Sequence, residues 1–117
     1  MDSALLPVMV CPGLFSPALD VEVPWEKFRE GIEIHRLYSN AQGASAALLR
    51  YAPGARLPRH EHAGYEHILV LRGSQEDDTG HHETGTLLIH PPGTTHEILS
   101  TAGCLVLAVW EKPVRFL

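Results

Sequence analysis

Glycine and proline divide this chain into short segments, and that division constrains the fold more than any other feature of the sequence. The 10 glycines and 9 prolines are spread evenly along 117 residues. Residues 31–38 alternate between two such breaks, which places Ile32 and Ile34 on one face of an extended strand. Short alternating segments bounded by turn residues are typical of an all-β protein, so we predict a sandwich or a small barrel.

The segments can be assigned to an arm, strands and turns. Residues 1–18 are rich in proline, show no periodicity and are predicted to form an extended arm. A chain of 117 residues has room for one domain, so residues 19–117 are predicted to form a single barrel. Residues 24–28 are predicted to be a turn or one helical turn, and residues 77–80 a hairpin turn. The predicted strands are residues 19–23, 31–38, 45–52, 65–72, 84–90, 95–99 and 103–110.

Charge and cysteine content exclude several classes of partner. The formal net charge is -5 and the 9 lysines and arginines are scattered, which argues against a nucleic-acid binder and against a membrane-surface patch. No apolar run is long enough to span a membrane, and Asp2 and Pro7 do not fit a secretion signal. Cys11 and Cys104 are too few for a disulfide framework, so we expect free thiols in a reducing cytoplasm.

Histidine is concentrated in one part of the chain, because seven of the 8 histidines lie between His60 and His96. His60 and His62 are two residues apart in an extended segment, so both side chains point to the same face. Glu66 opens the returning strand of an expected hairpin, and its carboxylate can face the same interior. His96 follows a proline-rich turn and is expected to point inward from the facing sheet. Imidazole is the commonest metal ligand, so this pattern predicts a metal site.

Nine positions in this region resemble the two sequence motifs of the cupin superfamily. The first motif comprises Gly54, His60, His62, Glu66 and Gly73, and the second comprises Gly85, Pro91, Gly93 and His96. The second motif usually closes with asparagine, where this chain has Ser100. The resemblance implies an all-β, single-domain jelly-roll barrel, also called a double-stranded β-helix. It further implies that the three motif histidines and Glu66 hold one divalent metal ion.

A narrower resemblance, over about residues 20 to 110, is to the ChrR-type cupin domain. That domain forms the C-terminal part of a zinc-dependent anti-sigma factor and also occurs alone. The anti-sigma activity belongs to a separate helical domain that residues 1–18 do not resemble, so we do not carry that activity over. The segments that carry the likeness are Pro24-Trp25, Gly31-Ile32, residues 49–55, residues 69–73, residues 77–80 and Gly103-Cys104.

The other polar and aromatic residues are assigned from strand parity and turn position. His90 shares a face with Leu88 and could lie next to the metal, and Tyr51 could contact a substrate. Beyond the metal centre itself, no catalytic residue is assigned. The remaining residues are expected to be outward or solvated (His67, His81 and His82), or buried or at an interface (Cys104, Trp25 and Trp110).

The ligand set leaves the metal and the reaction open. Three imidazoles and one carboxylate suit zinc, iron(II), manganese, nickel or copper, of which we favour zinc or iron. Related single-domain cupins include dioxygenases, so the resemblance implies an iron(II) dioxygenase of small dicarbonyl or phenolic ketone substrates. The alternative is a non-catalytic zinc cupin that binds a small ligand or serves as a regulatory module. A metal-dependent isomerase is a third, less supported class, because few inward-facing acid or base residues are found.

Two further expectations concern assembly and pH. Because a proline-rich arm often packs on a second copy, we expect a homodimer with twofold symmetry. Because metal binding requires neutral imidazoles, we expect metal loss below about pH 6, near the pKa of free imidazole.

Overall fold

The computed structural model describes residues 6–117, which form ten β-strands and one short helix. Residues 6–18 contain no helix or strand, and residues 1–5 of the expected arm lie outside the described part. The elements are α1 (Leu19–Glu22), β1 (Glu26–Arg29), β2 (Ile32–Ser39), β3 (Ser45–Tyr51), β4 (Ala55–His62), β5 (Glu66–Asp77), β6 (Gly80–Glu83), β7 (Leu87–His90), β8 (Thr95–Ser100), β9 (Cys104–Trp110) and β10 (Val114–Phe116).

The strands hydrogen-bond in one continuous order, β1-β2-β3-β9-β5-β8-β4-β10, with β6 and β7 added beside β5. This sheet curls into a half-barrel, which confirms the predicted all-β architecture. We call β1, β2, β3, β9 and β7 with the start of β5 the first half-sheet. The second half-sheet is β10, β4, β8 and β6 with the end of β5.

β5 joins the two half-sheets by changing partners at Gly73. Up to Gly73 the strand pairs with β9, and from Ser74 onward it pairs with β6. Gly73 has a φ of +72°, and a Cβ there would lie 2.1 Å from the carbonyl oxygen of Gly103. Only glycine fits this close approach of two backbones. The strand predicted to end before Gly73 therefore continues to Asp77.

The interior lies between the half-sheets. Its cluster of buried residues includes Ile34 and Val106 from the first half-sheet and Leu57 and Ile98 from the second. A smaller apolar cluster lies on the outer face of the first half-sheet, where Leu19 of α1 packs with residues such as Leu105. Residues from distant parts of the sequence thus share one core, which holds the side chains of the next section in place.

Two segments before β2 differ from the sequence prediction. Residues 19–23, predicted as a strand, contain the helical turn α1. The turn buries Leu19 and lets Asp20 pair with Arg72 at 2.7 Å, contacts that outweigh the alternating pattern. Residues 24–28, predicted as a turn or one helical turn, instead lead into β1, which pairs with β2. No helix in residues 6–117 is long and apolar enough to cross a membrane.

Candidate metal centre

Four side chains meet in the interior between the half-sheets. They are His60 and His62 on β4, His96 on β8 and Glu66 at the start of β5. Each residue is between 1% and 3% exposed, and one ligand atom from each lies within 4.8 Å of the others. The predicted ligand set is therefore brought together in space, and we call it the His–Glu cluster.

Glu66 and His96 reach the cluster by routes that differ from the prediction. Within residues 6–117, β4 and β5 do not pair as a hairpin, because β4 pairs with β8 and β10. Glu66 instead points across from the first half-sheet. His96 lies on the strand beside His60, as its register partner, rather than on the facing sheet. Consecutive strands usually pair, so the short spacing between His62 and Glu66 wrongly favoured a hairpin of β4 and β5.

Hydrogen bonds outside the cluster fix the ring orientation of His60 and His62. Nδ1 of His60 donates to the carbonyl oxygen of Pro58 at 2.8 Å. Nδ1 of His62 donates to Oγ1 of Thr94 at 3.0 Å, while the hydroxyl of Thr94 donates to the carbonyl of Pro91 at 2.7 Å. In a neutral imidazole with its proton on Nδ1, the other ring nitrogen carries a free lone pair. Both Nε2 atoms therefore face the interior as potential metal ligands.

His96 is held in the same way by a charged group. Its Nδ1 donates to Oδ2 of Asp77 at 2.9 Å. Burial would raise the pKa of Asp77, but hydrogen bonds from Thr79, His96 and His82 outweigh it and hold that pKa well below its usual range. Asp77 is therefore an ionised acceptor, and Nε2 of His96 is left with a free lone pair.

The inner atoms of the cluster lack hydrogen-bond partners. Nε2 of His96 lies 3.0 Å from Nε2 of His60, and neither carries a proton in the tautomers just described. Nε2 of His62 and Oε1 of Glu66 are buried 3.0 Å apart and have no hydrogen-bond partner within the described residues. Lone pairs in such close approach repel one another, and a cation between them would remove the repulsion. The donor set thus fits a divalent metal ion.

Glu66 has its two carboxylate oxygens in different surroundings. Oε2 accepts a hydrogen bond from Nε1 of Trp110 at 2.6 Å. Oε1 lies 3.0 Å from Nδ1 of His90, but the ring N–H is not aligned with it. Burial would raise the pKa of Glu66, but the neighbouring His62 and His90 outweigh it and hold that pKa far below its usual range. Glu66 is therefore ionised and brings a negative charge to the cluster.

Burial keeps two of the imidazoles neutral. It lowers the pKa of His96 to about 4, although Asp77 and Glu66 oppose the shift. It also lowers the pKa of His60, although the Pro58 carbonyl and Glu66 oppose it. A neutral imidazole is the form that binds metal. At neutral pH these rings are therefore ready to coordinate.

The two residues considered as neighbours of the metal occupy different positions. The ring of His90 stacks on His62, with centroids 4.7 Å apart and an interplanar angle of 17°. Burial would lower the pKa of His90, but Glu66 outweighs it and raises that pKa. Tyr51 is buried in the core, and burial raises the pKa of its phenol. His90 thus lies against the cluster, while the contact of Tyr51 with a substrate stays a prediction.

Sequence reasoning missed two neighbours of the cluster and misplaced a third. Asp77 was assigned to a hairpin turn and Trp110 to the core or an interface. His82, expected in a solvated loop, has a side chain only 13% exposed, with Nε2 3.0 Å from Oδ1 of Asp77. Neighbouring residues of an extended chain point to opposite faces, so one of Asp77 and Asp78 must turn inward. The register of β5 shifts between Val70 and Arg72, and this irregularity in strand pairing hides from the sequence which one it is. His67 is exposed, as expected.

A family model, the ChrR cupin-like domain, matches residues 19–114. The anti-sigma-E factor ChrR of Cereibacter sphaeroides is 31% identical over 97 residues, which cover 81% of this chain and 45% of that protein. The chain thus spans less than half the length of this curated relative. Ser100, at the position where the second motif usually has asparagine, is buried and donates its hydroxyl to the carbonyl of Ser74 at 2.6 Å.

Solved structures share the fold. The anti-sigma ChrR of Rhodobacter sphaeroides, in complex with SigE, matches 91% of this chain and 70% of that chain with a TM-score of 0.70 and 24% identity. An acetylacetone dioxygenase from Acinetobacter johnsonii matches 100% of this chain and 80% of its own, with a TM-score of 0.78 and 16% identity. A putative acetylacetone dioxygenase from Methylibium petroleiphilum matches 100% and 85%, with a TM-score of 0.81 and 14% identity. At these identities the likeness concerns the fold alone.

Proposed function

The chain belongs to the ChrR cupin-like domain family, and from this premise we propose that it is a metal-binding cupin whose His–Glu cluster holds one divalent transition-metal ion. The observation that carries the proposal is the arrangement of hydrogen-bond acceptors around the cluster. Each histidine donates its outer nitrogen to a fixed acceptor, so three lone pairs and the Glu66 carboxylate converge on one point. A hydrogen bond from the outer nitrogen of a metal-binding histidine orients the ring and sets its tautomer.

The first candidate reaction is oxidation by molecular oxygen of a small dicarbonyl or phenolic ketone. A bound iron(II) ion would supply the oxygen chemistry. The chain's own part is to hold the ligands, exclude water and orient a substrate beside the ion. His90 lies against Glu66 and is the side chain we propose to contact such a substrate. The fold shared with an acetylacetone dioxygenase and with a second protein described as a putative one supports this candidate.

The second candidate is a zinc-binding module without catalysis, which binds a small ligand or acts in regulation. One observation favours it: the His–Glu cluster is almost fully buried. An open cavity of about 770 Å³ lies elsewhere, with Arg50, Tyr51 and Cys104 among its lining residues, and no member of the cluster lines it. Zinc has no redox chemistry, so a zinc-filled site cannot oxidise a substrate.

Metal content and oxygen uptake together separate the two candidates. Untagged protein is purified, analysed for bound elements, stripped with a chelator, and reloaded with iron(II) or with zinc. The dioxygenase proposal predicts that only the iron form consumes oxygen with a small dicarbonyl such as acetylacetone. Zinc as the purified metal and no oxygen uptake in either form would favour the binding module. Failure of the stripped chain to take up any metal would overturn both.

Assembly and location complete the proposal. Cys11 and Cys104 are free thiols, which is consistent with a reducing cytoplasm. We propose a homodimer in which residues 6–18 of one copy pack on the outer face of the first half-sheet of the other. The complex with SigE belongs to the ChrR relative and is not proposed for this chain.

A further inference from the structure

The hairpin between β5 and β6 brings one carboxylate against the outer side of the His–Glu cluster. Asp77 is the last residue of β5 and pairs across the hairpin with Gly80. Its side chain is only 1% exposed. Asp78, the next residue, has a side chain that is 42% exposed and pairs with Arg59 at 2.8 Å. Two adjacent aspartates therefore have different environments, one beside the cluster and one at the surface.

The two oxygens of Asp77 have separate partners. Oδ2 accepts the hydrogen bond from Nδ1 of His96 at 2.9 Å. Oδ1 accepts from the hydroxyl of Thr79 at 2.6 Å and from its backbone N–H at 2.9 Å. Nε2 of His82 also lies 3.0 Å from Oδ1. Because Thr79 and His82 contact Oδ1, the carboxylate of Asp77 is fixed in the orientation in which Oδ2 accepts the hydrogen bond from His96.

His96 differs in this respect from the other two histidines of the cluster. His60 and His62 donate to neutral oxygens, a backbone carbonyl and a hydroxyl. A hydrogen bond to an ionised carboxylate is stronger than one to a neutral oxygen. It also makes the opposite ring nitrogen a better electron donor toward a metal. The hydrogen bond to Asp77 therefore fixes the ring of His96 more strongly than the neutral acceptors fix the rings of His60 and His62.

We propose that Asp77 is a positioning residue, which keeps the proton of His96 on Nδ1 and aims Nε2 into the His–Glu cluster. His82 and Thr79 in turn hold Asp77 in place. The inference rests on the proposed metal site, because only an ion in the cluster gives the orientation of Nε2 a function.

A second metal ion is the competing interpretation of the same residues. Asp77, His90 and His96 also have ligand atoms within metal-binding distance of one another. However, both oxygens of Asp77 already accept hydrogen bonds. Nδ1 of His96 lies 2.9 Å from Oδ2, which is an ordinary hydrogen-bond distance. The geometry favours a hydrogen bond to His96 over a shared ion.

The test compares Asp77→Asn with the matched control Asp78→Asn. The first measurement is the tautomer of His96 in the metal-free protein, read from the ¹⁵N shifts of its ring. We expect an Nδ1–H ring in the wild-type chain and in Asp78→Asn, and loss of that preference in Asp77→Asn, whose amide N–H₂ can donate to an unprotonated Nδ1.

The second measurement is zinc affinity by competition with a chromogenic chelator. We expect a 10- to 100-fold weaker affinity in Asp77→Asn and no change in Asp78→Asn.

A second variant covers the case in which Asp77→Asn does not fold. His82→Ala removes one of the groups that hold Asp77, and His81→Ala, with a side chain 53% exposed, is its control. We expect His82→Ala to weaken zinc binding by less than Asp77→Asn and His81→Ala to leave it unchanged. An unaltered tautomer and affinity in folded Asp77→Asn would overturn the inference, as would unaltered affinity in His82→Ala if Asp77→Asn is unfolded.

Two zinc ions per chain, one of them lost in Asp77→Asn, would also overturn it in favour of a second site. If the wild-type chain takes up neither zinc nor iron(II), the proposed function fails. The tautomer measurement on metal-free protein still decides whether Asp77 positions His96, so the two failures are distinguishable.

Discussion

At the scale of single residues, the protonation of His60 and His96 decides at which pH the His–Glu cluster can bind a metal ion. In the folded chain, burial lowers the pKa of His96 to about 4 from 6.5 and also lowers that of His60. In the unfolded chain both rings would titrate near 6.5. Protons therefore compete with a metal for these two nitrogens only at lower pH than free imidazole would suggest. We now expect metal retention to extend below pH 6, the limit that the sequence alone had suggested.

The same shifts predict how the stability of the metal-free protein depends on pH. Between pH 6.5 and about 4 the unfolded state binds more protons than the folded state, because the pKa of His96 is lowered on folding. Stability contributed by the neutral ring is therefore complete above pH 6.5 and is lost as the pH falls toward 4. His90, whose pKa is raised on folding, gains stability as the pH falls through 6.5, so it partly offsets the loss from His96 between pH 7 and pH 5.

Urea unfolding of metal-free protein at pH 7 and pH 5 measures the effect. We expect a lower free energy of unfolding at pH 5, and a smaller difference between the two pH values in His96→Gln. A pH difference that is as large in His96→Gln as in the wild-type chain would contradict the assignment of a buried neutral His96.

The hydrogen bond from Trp110 to Glu66 gives a second prediction at this scale. Trp110→Phe removes the donor at 2.6 Å from Oε2, which leaves a buried, ionised acceptor without that partner. We expect the free energy of unfolding to fall by about 1–3 kcal/mol, together with weaker metal binding. The control is Trp25→Phe, since Nε1 of Trp25 is buried and has no hydrogen-bond partner within the described residues. A larger loss in Trp25→Phe than in Trp110→Phe would contradict this account of Glu66.

At the scale of strands, spacing predicted side-chain direction well and pairing poorly. Two-residue spacing correctly put His60 and His62 on one face of β4, and the hairpin at residues 77–80 is present. The neighbours of β4 were wrong, because strand pairing depends on contacts between distant segments that local spacing does not encode. The inward turn of Asp77 was missed for the same reason.

Gly73 gives a prediction for strand β5. In Gly73→Ala the new Cβ would lie 2.1 Å from the carbonyl oxygen of Gly103 and 3.0 Å from Cα of Cys104, both of them backbone atoms. We expect a loss of about 4 kcal/mol or more, or no folded protein. Gly85→Ala is the control, because its φ of +90° is also strained but a Cβ there meets nothing within 4 Å. It should cost only about 1–2 kcal/mol in the same denaturant titration. Equal losses would contradict the close backbone approach at Gly73.

Apolar residues at the surface suggest how whole molecules assemble. Leu6, Val8 and Val10 of the arm are between 80% and 90% exposed. Leu87 and Ile89 alternate with inward residues on β7 and are 54% and 53% exposed on the outer face of the first half-sheet. Water contact with so much apolar surface is unfavourable, and packing of the arm on a second copy would remove it.

The dimer can be tested by light scattering coupled to size-exclusion chromatography. We expect the wild-type chain to elute as a dimer and the double variant Val8→Asp, Val10→Asp to elute as a monomer. Leu117→Asp is the control, because Leu117 is 68% exposed but follows β10 at the edge of the second half-sheet. A wild-type monomer, or an equally dimeric double variant, would contradict the proposed role of the arm.

The central claim is that the His–Glu cluster binds one metal ion, and element-specific analysis of untagged protein tests it most directly. The wild-type chain is compared with the double variant His60→Ala, His62→Ala, and with His67→Ala, which changes an exposed histidine on the outside of β5. We predict one divalent transition-metal ion per chain in the wild type and in His67→Ala, and none in the double variant. A wild-type chain without bound metal, or a folded double variant that retains the ion, would contradict the claim.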